Sequence, residues 1–90
     1  ALFGTRFMKI LWFAWLRTRV GTAAETVEPP AGIKDVAGLL DWLATRSSGH
    51  AEALAKREVV RVAVNQAYVK GDHPVKTGDE IAIFPPVTGG

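Results

Sequence analysis

The sequence predicts an α+β fold, a sheet covered on one face by a single substantial helix. Three observations predict it. The candidate elements run strand, strand, helix, strand, strand; each strand has one wholly apolar side; and only one segment carries a long helical stripe. One helix covers one face of a sheet, so the other face is left open.

Met8–Arg17 opens the domain as a strand. Met8, Ile10, Trp12, Ala14 and Leu16 fall on one side, and Lys9, Leu11, Phe13, Trp15 and Arg17 on the other. The first set belongs to the core, while the second still carries three large apolar side chains. Val20-Gly21-Thr22 forms a turn, and Glu25–Glu28 alternates as a second short strand, which together suggest an opening hairpin. Pro29-Pro30-Ala31-Gly32 ends it.

Asp35 is placed to cap a helix running through Arg46, because its carboxylate can accept an orphan amide of the first turn. Val36, Leu39, Leu40 and Leu43 form its buried stripe, and Ser47-Ser48-Gly49 closes it. Ala51–Lys56 adds a short second helix anchored by Leu54. Val59–Gln66 alternates again, with Val60, Val62 and Val64 inward, and Tyr68-Val69 extends it. Lys70-Gly71-Asp72 and Thr77-Gly78-Asp79-Glu80 are turns. The last strand, Glu80–Phe84, sends Ile81 and Ile83 inward and Ala82 and Phe84 outward.

With the first and last strands adjacent at the centre, Phe13 and Phe84 emerge on the open face, with Leu11 nearby and Tyr68 at the margin. Exposed apolar patches of this kind mark partner sites. The alternative is that a loop or the second short helix covers them.

Composition excludes several functions. Ninety residues make one domain, and folding at this size buries roughly 60–65% of the chain's surface. A net charge of +2 with dispersed Lys and Arg, only Lys56, Arg57 and Arg61 lying close together, argues against a nucleic-acid interface. Met8–Leu16 is far too short for the ~20 residues of a membrane span and lacks signal-peptide flanks. The absence of cysteine removes disulfides and thiol chemistry and fits a reducing compartment, so the expected location is the cytoplasm. His50 and His73 read as isolated surface histidines without metal-ligand spacing, and Trp12, Trp15 and Trp42 as core or interface packing. Residues 1–7 precede Met8 and are set aside as a cloning remnant or disordered extension; residues 8–86 form the domain and 87–90 an extended tail.

The chemistry points to that tail. Pro85 and Pro86 lack amide donors and stop the sheet, so Val87-Thr88-Gly89-Gly90 can extend roughly 13–14 Å beyond them. Glycine has no Cβ, so a Gly-Gly end enters a slot that any side chain would block. A main-chain carboxylate on Gly90 would be the reactive group.

Three segments, Val62-Ala63-Val64-Asn65-Gln66, Gly78-Asp79-Glu80-Ile81 and Phe84-Pro85-Pro86-Val87-Thr88-Gly89-Gly90, resemble the family of molybdopterin synthase small subunits, which are ubiquitin-like sulfur carriers. The resemblance runs from Met8 to Gly90 and includes Phe13-Ala14, Arg17 and Asp72-His73-Pro74; Thr45–Lys56 matches least. It implies a β-grasp fold with a mixed sheet. It implies that a ubiquitin-activating-like adenylyltransferase uses ATP and Mg²⁺ to adenylate Gly90. A persulfide donor then supplies sulfur, giving a C-terminal thiocarboxylate. The carrier docks on the large synthase subunit through Phe13, Tyr68 and Phe84, threads Pro85 to Gly90 into its active site, and gives sulfur to cyclic pyranopterin monophosphate. Arg17 would be a rim contact. The chain itself would bind no metal and no cofactor. Related carriers for thiamine or tRNA thiolation, a protein modifier that forms isopeptide bonds, and a plain ubiquitin-like binding module are the alternatives.

Overall fold

The computed structural model describes residues 6–86. A five-stranded mixed sheet is built from β1 (Met8–Trp12), β2 (Ala24–Val27), β3 (Arg61–Val64), β4 (Ala67–Val69) and β5 (Glu80–Phe84), in the order β2-β1-β5-β3-β4. The first and last strands are central and parallel, with Ile10 opposite Ile81 and Trp12 opposite Ile83. The other neighbouring pairs are antiparallel. This is the β-grasp arrangement that the resemblance implies.

Three helices accompany the sheet: α1 (Ala14–Val20), α2 (Val36–Leu43) and α3 (Ser48–Ala53). The Asp35 carboxylate accepts the Gly38 amide at 2.8 Å, so α2 starts where the sequence places its cap. Val36, Leu39, Leu40 and Leu43 of α2 pack in one core with Met8, Ile10, Trp12, Val62, Val64, Ile81 and Ile83 from the sheet. Pairs of strands that alternate in sequence thus present one continuous apolar face to the helix layer.

Five local expectations are corrected. The first strand stops at Trp12, because Ala14 adopts φ 56° and turns the chain into α1. Leu16 is fully buried as expected, but from a helix, and Gly21 closes that helix at φ 98°. β1 and β2 pair as predicted, yet a helix and not a tight turn joins them. Asn65 and Gln66, at φ 52° and 74°, form the two-residue turn between β3 and β4 and do not continue the strand. Ser47 opens α3 by accepting the His50 amide at 3.1 Å, where the sequence suggested a helix end.

His50 is the fifth correction: it is buried, not a surface residue. The helices α1 and α3 touch so closely that a Cβ on Gly49 would collide with the Arg19 carbonyl oxygen. Arg6 and Phe7, set outside the domain by the sequence reading, are tied to it. Arg6 donates to the Pro30 and Ile33 carbonyls, and Phe7 O accepts the Gly78 amide.

Candidate functional site

The open face of the sheet is ordered by register. Leu11 stands opposite Ala82, Ala82 opposite Ala63, and Ala63 opposite Tyr68, so one row crosses four strands. The middle of the row is made of small side chains, and larger ones rise around it. The Tyr68 and Phe84 rings pack with centroids 5.4 Å apart at an interplanar angle of 43°. Phe13 lies at the end of β1, where its amide donates to the Ile83 carbonyl at 3.1 Å and prolongs the central parallel ladder.

Phe13, Tyr68, Phe84 and Pro85 share one shallow apolar depression with Ala63, Gln66 and Ala82. Phe13 is 47% exposed and Tyr68 79%. A side chain this apolar and this exposed gains most when another surface covers it. Ala63, expected outward, does point to this face but is buried at its floor beneath its larger neighbours.

Pro86 lines an adjoining recess with Arg61, Val62, Tyr68, Val69 and Phe84. The chain therefore leaves β5 beside the aromatic patch. Val87, Thr88, Gly89 and Gly90 lie outside the described residues. The structure thus brings together Phe13, Tyr68, Phe84, Pro85 and Pro86 from three separate stretches of sequence. Gln66 is a contributor that the sequence reading missed; its positive φ marks a turn that lifts it beside Tyr68. Arg17 is exposed on α1, a helix and not the strand from which a rim position was inferred.

At the opposite end of β5 the turn is fixed electrostatically. Buried Asp79 accepts the Asn65 side-chain amide at 3.0 Å and the Lys76 backbone amide at 2.8 Å, with the Lys76 ammonium 3.6 Å away. Burial alone pushes the Asp79 carboxyl up, but these donors and the ammonium together hold it below its ordinary 3.8. The Asn65 carbonyl oxygen returns a bond by accepting the Glu80 amide at 3.0 Å. This pins the β3–β4 turn to the start of β5, and with it Gln66 and Tyr68.

Among the described residues no helix is long and apolar enough to cross a membrane. No group of three or more His, Cys, Asp or Glu side chains among them is arranged to hold a metal ion.

Comparison with known proteins places the chain. The ThiS family matches residues 10–90. The molybdopterin synthase sulfur carrier subunit of Escherichia coli (strain K12) is 45% identical over 83 residues, covering 92% of this chain and 99% of the relative. A Pyrococcus furiosus structure described as molybdopterin converting factor subunit 1 superposes with a TM-score of 0.75 at 28% identity, covering 92% of this chain and 100% of that one. The small archaeal modifier protein 1 of Haloferax volcanii gives a TM-score of 0.72 at 27% identity over 91% of this chain and 99% of its own.

Proposed function

The chain belongs to the ThiS family, among the molybdopterin synthase sulfur carrier subunits, and from that premise we propose that it carries sulfur as a thiocarboxylate on Gly90. The observation that carries this reading is the place where the chain leaves the sheet: Pro85 and Pro86 sit at the rim of the exposed Phe13–Tyr68–Phe84 patch. A body that docks through the patch necessarily delivers the following residues to the same partner.

A carboxylate is a poor electrophile, so the terminal acid must first be activated. Its oxygen attacks the α-phosphorus of ATP, held with Mg²⁺ by an adenylyltransferase, and pyrophosphate leaves. The terminal sulfur of a persulfide donor displaces AMP from the acyl carbon, and a thiol cleaves the resulting acyl disulfide to leave the thiocarboxylate. The large synthase subunit receives the tail and directs its sulfur to cyclic pyranopterin monophosphate. The aromatic patch supplies affinity in each encounter, since aromatic anchors bury large area at small rotamer cost.

Intact-mass measurement after incubation with the activating enzyme, ATP and a sulfur source tests this. The expected result is replacement of one oxygen by sulfur at Gly90, abolished by deleting Gly90 or by adding one residue after it. Normal sulfur loading of either variant would refute the assignment. Similarity to the archaeal modifier supports a second reading, conjugation of Gly90 to lysine amines. An adduct that survives thiol and reductant would favour that reading over the carrier.

A further inference from the structure

We propose that Ser47 is an activated nucleophile, with His50 as its general base and Glu25 as the group that orients the base. Ser47 Oγ lies 2.7 Å from His50 Nδ1, and His50 Nε2 lies 2.7 Å from Glu25 Oε2. A nucleophile within hydrogen-bond reach of a base, itself held by a third group, is the arrangement that activates serine hydroxyls. The cluster shares no residue with the aromatic patch, and nothing in sulfur carriage uses it.

For the neutral ring the bonding fixes the tautomer. Glu25 Oε2 also accepts the Trp12 indole N–H at 2.8 Å, and an ionised carboxylate has no proton to give. His50 Nε2 therefore donates to Glu25, which leaves Nδ1 of the neutral ring to accept the Ser47 hydroxyl proton. The Trp12 ring meets the imidazole edge-on, with centroids 5.5 Å apart, and so holds its plane. One lone pair of Ser47 Oγ accepts the His50 amide at 3.1 Å. The hydroxyl keeps a second lone pair, and Ser47 is exposed while its base is buried. Helix capping explains the amide contact, but not a buried imidazole aligned on both of its nitrogens.

The charges around the cluster are few. Arg46 Nη2 lies 3.9 Å from Glu25 Oε1, whereas the imidazole contacts Oε2. Arg19 of α1 and Glu52 of α3 pair with each other at 3.7 Å.

The substrate class is a small activated acyl donor, such as an ester or thioester. The Oγ–acyl carbon bond forms as the hydroxyl proton passes to His50 Nδ1. The donor's alkoxide or thiolate then leaves with that proton, and an acyl-serine remains.

The test uses the full chain and 4-nitrophenyl acetate, with acetylated positions mapped by peptide mass spectrometry. Ser48, also exposed but with no imidazole contact among the described residues, is the internal reference. General-base assistance predicts acetylation of Ser47 about 10²-fold faster than Ser48. That lead should shrink as the pH falls and NMR shows the His50 ring gaining its proton. The Ser47→Thr variant, which keeps the cap and the hydroxyl, should retain the reaction. Equal labelling of the two serines, labelling confined to amines, or a lead indifferent to His50 protonation would overturn the proposal. The mapping on the unaltered chain does not depend on any variant folding.

Discussion

Replacing Tyr68 with alanine should separate docking from folding. Tyr68 lies on the edge strand β4 and is 79% exposed, so the folded body has little of its surface to lose. A tyrosine presents about 200 Å² when fully open, leaving roughly 160 Å² here for a partner to cover. At about 25 cal/mol per Å² the ceiling is ~4 kcal/mol, and a partner covering half of that area gains ~2 kcal/mol. The phenol oxygen and the contact with Phe84 lower the figure further, so 1–3 kcal/mol is expected, within the range of interface anchors. Titration calorimetry against the large subunit of molybdopterin synthase should show Kd weakened by about five- to 150-fold. Urea unfolding of the same variant should differ from the parent by no more than ~0.5 kcal/mol. An unchanged Kd would refute the docking role. A stability loss as large as the affinity loss would mean that the side chain supports the sheet instead.

The remaining predictions concern neighbouring parts of the same scaffold. Phe13→Ala should weaken the same association by ~1–3 kcal/mol, read in the same calorimeter, since its exposed ring lines the same depression. Gly49→Ala should destabilise the fold by about 1–3 kcal/mol in a urea melt, because the new methyl group must push α3 away from the Arg19 carbonyl. Asp79 binds its proton less readily folded than unfolded, so its contribution is complete above about pH 4 and fades as acid carries the pH through the depressed folded value. Asp79→Asn should flatten that part of the stability-versus-pH curve; an unaltered acid limb would contradict the assignment.

Much of this fold was legible because its signals are local. Glu80–Phe84 alternates cleanly and is a strand over just those residues, and Asp35 caps α2 as its position before an apolar stripe predicts. The helix α1 was hidden by a coincidence of periods. Leu16 falls inward whether the chain continues as a strand or turns into a helix, and the break is made by Ala14 at a positive φ that alanine does not advertise. The buried role of His50 was hidden by distance, since its carboxylate partner lies 25 residues earlier on β2. Only Ser47, three positions before it, offered a local sign, and Ser47-Ser48-Gly49 reads equally well as a helix end. The aromatic patch was legible from two-residue alternation once β1 and β5 were taken as neighbours, whereas Gln66 depended on a turn the sequence did not reveal.

The strand that leads into Pro85 is clamped on both flanks, in parallel by β1 and antiparallel by β3. Traction on the chain beyond Pro86 therefore pulls along two ladders at once, loading their bonds in shear and not peeling them one by one. Resistance to such a tug is set by the rate of unfolding and not by equilibrium stability alone. The molecule is built as a tethered plug: whatever draws on its end can strain against the body without unravelling it.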